Sequence, residues 1–159
     1  MPRAGSRTLA DVPRRPRSQL PNGFFHAFNR GVGKSTIFFD DLHFETFMAL
    51  FESARFRFKW NCEYYCLMPN HYHLIVEALR PRLSRGMHWL NGRYAQWFNT
   101  VHGRVGHVFQ NRFGAYVIDT DAHFERACAY IEDNPVRAGL CANPEDWPWS
   151  SAHARGQQG

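Results

Sequence analysis

A chain of 159 residues has room for one domain with a sizeable core and is too short for two ordinary ones. Its hydrophobic content of 44% excludes a disordered polymer, and no apolar run is long enough to cross a bilayer. The net charge of +5 is unevenly placed: residues 1–22 hold Arg3, Arg7, Arg14, Arg15 and Arg17 against Asp11, or +4 (five minus one), so the remainder is close to neutral.

Such a Pro/Arg/Ser-rich arm reads either as a contact for nucleic acid phosphates or as a poorly ordered leader. It has no continuous apolar h-region, so a cytoplasmic protein is expected. The cysteines Cys62, Cys66, Cys128 and Cys141 form no Cys-x-x-Cys pair, which argues against structural zinc and for reduced thiols.

After turn punctuation at Pro21-Asn22-Gly23, residues Phe24 to Arg30 read as a strand. Asp40 and Asp41 are N-cap residues for a helix whose Phe44, Phe47, Met48 and Phe51 follow at i, i+3, i+4, i+7. Lys59 to Leu67 and His71 to Glu77 read as a hairpin turning at Met68-Pro69-Asn70, with Trp60, Cys62, Tyr64 and Cys66 expected on one face. Side chains alternate along a strand, so His71 and His73 project from the same side, opposite Tyr72, Leu74 and Val76. Two imidazoles so placed can hold one metal ion with positions left open, or can simply be solvated.

Pro81 and Ser84 open a second helix running to about Asn99, and a short strand is expected at Ala115 to Ile118. Asp121 should cap a third helix with Phe124, Ala127, Cys128 and Ile131 as its core stripe, ended by Pro135. The order β-α-β-β-α-β-α predicts a ferredoxin-like α+β fold: an antiparallel sheet, two helices on one face, and the third helix across the face that carries the histidines. The expected division is a basic arm over 1–22, one domain over 23–140 and an irregular tail over 141–159.

Arg126, Tyr130 and Asn134 form an i, i+4, i+8 row on the flank of that third helix. A phenol can be a covalent nucleophile, an amide oxygen can complete a metal site, and a guanidinium can hold a phosphate. The same three residues can equally be an interface aromatic, a helix-terminal amide and a solvated charge.

Five segments occur in a telling order: Phe25-His26-Ala27-Phe28-Asn29-Arg30-Gly31, Leu67-Met68-Pro69-Asn70-His71-Tyr72-His73, Gly106-His107-Val108-Phe109-Gln110-Asn111-Arg112-Phe113, Tyr130-Ile131-Glu132-Asp133-Asn134-Pro135-Val136-Arg137-Ala138-Gly139-Leu140, and Asp146-Trp147-Pro148-Trp149-Ser150-Ser151. Together they resemble the single-tyrosine HUH transposases of bacteria, in the REP-associated (IS200-like) branch. The resemblance implies a single-stranded DNA endonuclease and strand transferase in which His71, His73 and Asn134 bind Mg²⁺ or Mn²⁺. It implies that Tyr130 forms a 5′-phosphotyrosine on hairpin or palindromic repeat DNA. Asn29, Arg30, Arg93, Gln110, Arg112, Arg126 and Arg137 become candidate DNA contacts. The implied protein is bacterial and nucleoid-associated, with no membrane partner, and a monomer or homodimer. Two departures stand out: Ala27-Phe28 in the first strand, and the acids Glu132 and Asp133 beside the tyrosine.

The main alternative is a catalytically inactive, domesticated module that binds single-stranded nucleic acid on the same fold. A two-histidine phosphodiesterase would need a second His-x-Thr/Ser motif, and none of the nine histidines supplies one.

Overall fold

Alternation of apolar side chains sorts each strand into two faces, and both faces are covered. A computed structural model describes residues 23–159; the basic arm over 1–22 lies outside the described residues. Strands β1 (Gly23–Arg30), β2 (Asn61–Met68), β3 (His71–Ala78) and β4 (Gly114–Ile118) pair antiparallel in the order β2-β3-β1-β4. Helices α1 (Asp41–Phe58) and α2 (Arg80–His102) cover one face. Helix α3 (Asp121–Arg137) crosses the other. This is the ferredoxin-like α+β arrangement expected, with one additional helix that closes the sheet's second face.

On the first face Tyr72, Leu74 and Val76 of β3 join Phe25 and Ala27 of β1 beneath Phe44, Phe47 and Phe51 of α1 and Met87, Leu90 and Tyr94 of α2. On the second, Tyr64, Cys66 and Met68 of β2, Ile75 of β3 and Ile118 of β4 pack against Ala127, Cys128 and Ile131. A register shift between Asn61 and Tyr64 corrects the expected β2 pattern. Cys62 and Trp60 fall in the α1/α2 core, while Tyr64 and Cys66 lie under α3. One extra residue in a strand reverses every side chain before it, which strict alternation cannot register.

Helix ends follow side-chain chemistry. Asp40 accepts the His43 amide at 3.2 Å to cap α1. Thr120, rather than Asp121, caps α3, accepting the His123 amide at 3.0 Å. Pro135 lies inside α3, which continues to Arg137. It removes the N–H that would bond to Ile131 O and disfavours helical geometry at Asn134, yet the helix keeps both residues. The end is made by Gly139 (φ 73°), with Leu140 N–H donating to Pro135 O at 2.9 Å and Gly139 N–H to Val136 O at 3.0 Å. That pair of bonds is a Schellman ending, which needs the left-handed residue that glycine supplies cheaply.

Residues 141–159 are more regular than an irregular tail. A 3₁₀ turn at Pro144–Asp146 leads to α4 (Ser151–Gly156), capped by Ser150, which accepts the His153 amide at 3.2 Å. This segment pins the edge strand β2: Leu67 N–H donates to Trp149 O at 2.8 Å, Trp147 Nε1 to Leu67 O at 2.7 Å, and Tyr65 N–H to Ser151 Oγ at 3.0 Å. The edge that would otherwise invite another chain is thereby occupied.

Two glycines of α2 test the packing with opposite signs. A Cβ on Gly86 would fall 2.1 Å from Trp60 Cζ2, and that indole is held by its bond to Arg82 O at 3.2 Å. A Cβ on Gly92 would meet nothing within 4 Å. Gly86→Ala should destabilise by about 1–3 kcal/mol through overpacking, although alanine is the better helix former. Gly92→Ala should stabilise by about 0.5–1 kcal/mol. Urea unfolding of both variants measures the two signs.

Candidate active site

His71 and His73 open β3 on the α3 face, and the last turns of α3 bring Tyr130 and Asn134 over them. The His71 and His73 ring centroids are 5.1 Å apart at 83°, and the Tyr130 ring stands 5.7 Å from His73 at 85°. His73 and Asn134 are buried, while Tyr130 is 49% exposed at the cleft wall. The cleft continues past Phe28, Asn29 and Arg30 to Gln110 and Arg112, and one side of it is open to solvent.

The hydrogen bonds dictate which ring nitrogens are free. Asn70 Nδ2 donates to Lys34 O at 3.3 Å, which turns Asn70 Oδ1 toward His71 Nδ1 at 2.6 Å. An amide oxygen can only accept, so His71 carries its proton on Nδ1 and presents a bare lone pair at Nε2. That lone pair faces another acceptor, Asn134 Oδ1, at 3.3 Å. His26 Nε2 lies 2.9 Å from His73 Nδ1, leaving His73 Nε2 free. Each histidine of the pair thus has a polar partner on its inner nitrogen, the arrangement that orients metal-ligating imidazoles.

Burial keeps these rings neutral. It pushes the His73 pKa down to about 3, helped by His71, His26 and Arg137. It pushes His26 down to about 4, helped by His123. His71 is lowered by the same desolvation. Neutral imidazole is the metal-binding form. Among the described residues no cluster of three or more His, Cys, Asp or Glu side chains could hold a metal ion, so a site here needs the amide as its third donor. Two imidazole lone pairs and a facing amide oxygen fit a divalent cation.

Arg137 is tied to Tyr130 rather than held out for DNA. Its Cζ lies 4.3 Å from the Tyr130 ring centroid, Nη2 donates to Tyr130 O at 3.0 Å, and Nη1 pairs with Asp133 at 3.2 Å. Glu132 pairs with Arg155. Both acids beside the tyrosine therefore carry ion pairs within the protein.

The other candidates separate by face. Arg30 Nε donates to Gln110 Oε1 at 2.5 Å, and Asn29 Nδ2 to Asn111 O at 3.2 Å, so β1 and the segment before β4 form one cleft wall. Arg112 lines the same wall. Arg126 is exposed one turn before Tyr130 and is not among the residues lining the cleft. Arg93 is excluded from this cleft, because it sits on α2 on the opposite side of the sheet. Asn70 was legible only as a turn residue and His26 only as part of the first-strand segment. Their pairing with the two central histidines depends on β1–β3 register and on Lys34, which no local motif carries.

The site is thus an antiparallel sheet whose paired histidines are overhung by a helix-borne tyrosine and amide. Residues 25–134 match the family described as "Transposase IS200 like", and the chain belongs to that family. A curated protein of Haemophilus influenzae, provisionally described as a REP-associated tyrosine transposase, is 26% identical over 121 residues; the match spans 62% of this chain and 66% of that relative. The fold is similar to that of a solved REP-associated tyrosine transposase bound to a REP hairpin, with TM-score 0.67, 17% identity and coverage of 90% of this chain and 84% of that one. A crystal structure provisionally described as a transposase of Deinococcus radiodurans matches with TM-score 0.52 and 12% identity, over 76% of this chain and 96% of that one. No helix among the described residues is long and apolar enough to cross a membrane.

The buried rings make stability depend on pH. Folded His26 and His73 titrate below the ordinary value near 6.5, so the unfolded chain binds more protons in the interval between. In EDTA, their contribution should be complete above about pH 6.5 and be lost as pH falls toward about 4 for His26 and about 3 for His73. Urea midpoints across that range measure it, and His26→Gln should flatten the slope.

Proposed function

We propose that this protein is a metal-dependent single-stranded DNA endonuclease and strand transferase of transposase type, acting on hairpin or palindromic repeat DNA. The observation that carries the reading is the pair of lone pairs, His71 Nε2 and Asn134 Oδ1, aimed at each other beside an accessible tyrosine ring. His71, His73 and Asn134 would hold Mg²⁺ or Mn²⁺; the two imidazoles suit Mn²⁺ at least as well, since Mg²⁺ favours all-oxygen shells. When bound, such an ion supplies Lewis-acid polarisation of a non-bridging phosphate oxygen.

Tyr130 is the nucleophile in this reading. Its oxygen attacks phosphorus, a tyrosyl O–P bond forms and the P–O3′ bond breaks. The phenolic proton passes to solvent and the departing 3′ oxygen takes up a proton, leaving a 5′-phosphotyrosine and a free 3′-hydroxyl. Attack by a 3′-hydroxyl in reverse restores a phosphodiester without ATP. Arg137 restrains the phenol through its ring contact and its bond to the Tyr130 carbonyl. Asn70 and His26 orient the two imidazoles. Arg30, Gln110 and Arg112 offer donors to the strand that enters the cleft, with Asn29 bracing that wall. A chromosomal DNA substrate would place the protein at the bacterial nucleoid.

Incubation with labelled single-stranded hairpin oligonucleotides and Mn²⁺ should give an SDS-resistant covalent adduct. Tyr130→Phe should abolish the adduct and leave DNA binding within about twofold. An adduct that survives in the Phe variant refutes the nucleophile assignment; no adduct from the wild type, with DNA binding intact, favours the inactive binding module.

Asn70→Ala should weaken Mn²⁺ affinity by about 10–100-fold, the usual cost of losing the partner that orients a ligating histidine. Calorimetric titration of the DNA-free protein measures this independently of cleavage.

A further inference from the structure

The face of β1 that carries His26 also carries Phe28, and Phe28 lines the cleft. It belongs to the Ala27-Phe28 pair that sets this first strand apart, and the chemistry proposed for the cleft makes no use of it. Its ring lies across the neighbouring strand: a Cβ on Gly114, its partner in β4, would fall 2.3 Å from Phe28 Cζ. Tyr116, two residues along β4, stacks against that ring with centroids 5.4 Å apart and planes at 28°. Phe28 is half-buried. Tyr116 is 61% exposed, although it alternates onto the same face as buried Ile118. Helix α3 covers Ile118 and leaves Tyr116 open.

These two rings adjoin the point of attack. Phe28 stands 6.1 Å from His73, and His26 is close to both phenols, 6.2 Å from Tyr116 and 6.4 Å from Tyr130, centroid to centroid. Neither Phe28 nor Tyr116 offers a charge to a phosphate. Among the described residues, no guanidinium lies over either ring. What they offer is aromatic surface left against water, which a planar aromatic ligand would cover. A single strand whose phosphate sits at the histidine pair brings such a group with it, because each phosphate is joined through one sugar to a base.

We propose that Phe28 and Tyr116 form a stacking platform for one nucleobase, that of a nucleotide flanking the phosphate that Tyr130 attacks. The platform holds the base by its face and leaves the hydrogen-bonding edge unread, so it accepts any base. This deepens the cleavage reading above and rests on a single strand entering the cleft. Phe28 and Tyr116 are positioning residues: they fix where the backbone lies relative to the Tyr130 oxygen and make or break no bond. A tyrosine that merely shielded Phe28 from water would be replaced as well by leucine, which separates the two roles.

The test uses the full chain in EDTA, so that the strand stays intact. Its ligand is the hairpin oligonucleotide of the adduct assay, carrying at each unpaired position in turn a fluorescent adenine analogue whose emission falls when it stacks. The cleaved phosphate is mapped separately with Mn²⁺. In the wild type, one position next to that phosphate should be quenched on binding. Tyr116→Leu should lose this quenching and weaken binding by at least about fivefold, the low end of what one stacked base contributes. Phe28→Leu should act in the same direction. Tyr116→Phe and Tyr116→Trp, which keep a ring, should retain both quenching and affinity, and melting temperatures verify that the variants fold. An abasic site at the quenched position should weaken wild-type binding by a similar factor and leave Tyr116→Leu unaffected, because lesion and variant remove the same contact. The proposal is overturned if no position is quenched in a ring-dependent way, if that position is remote from the cleaved phosphate, or if the abasic site and Tyr116→Leu act additively. A wild type that forms no adduct counts against cleavage alone. The quenching scan needs neither metal nor the Tyr130 oxygen, and ring-dependent quenching at a single position would then still support the platform.

Discussion

Everything at the cleft depends on how α3 is pressed onto the sheet. Ala127, Cys128 and Ile131 bury their side chains against Cys66, Ile75 and Ile118, and this apolar contact is the main attachment of the helix. With that stripe seated, helical geometry decides where the polar flank goes: Tyr130 reaches the rim beside His73, and Asn134 reaches His71. The contact also explains how a buried amide can be kept with its oxygen facing a lone pair. Packing free energy from the stripe holds Asn134 where two acceptors meet, an arrangement that costs energy until a cation lies between them. The Schellman ending at Gly139 and the pairing of Arg137 with Asp133 then keep the last turn from fraying.

The sheet supplies the complementary constraint. Phe28 pairs with His73 and Arg30 with His71 in the β1–β3 register, so β1 brings His26 and the Arg30 wall to the same end as the histidine pair. A one-residue slip would turn both histidines toward the α1/α2 core. Tyr72 and Leu74 oppose such a slip, because they are fully buried beneath Phe47 and its neighbours. The two faces therefore divide the work: apolar burial under α1 and α2 sets the register, and that register presents the histidines under α3. The basic flank of α2 lies outside both layers, where its charge does not disturb either core.

Much of this was legible from local pattern. Periodicity identified β1, β2, β3 and the three long helices, because their apolar stripes are strong; β4, with Ala115, Tyr116 and Val117 exposed, has no such stripe. The His-x-His spacing needed only strand alternation, and the row of Tyr130 and Asn134 needed only helical spacing. What escaped was set by contacts between distant segments. The bulge before Tyr64 moved Cys62 to the other core, and Arg93 looked equivalent to Arg30 until α2 was seen on the far face. Asn70 gains its role from Lys34, thirty-six positions earlier, and the tail gains its order from β2. Pro135 was misleading because a proline disfavours, without forbidding, helical geometry in the residue before it, and Asn134 stays within α3.

The most direct test of the account is a crystal structure of the protein soaked in Mn²⁺, with anomalous data collected to locate the ion. The account predicts one strong peak between His71 Nε2, His73 Nε2 and Asn134 Oδ1, on the side of the histidines that Tyr130 overhangs. A cleft with no anomalous peak, and with the Asn134 amide turned so that its nitrogen donates to His71, would contradict it.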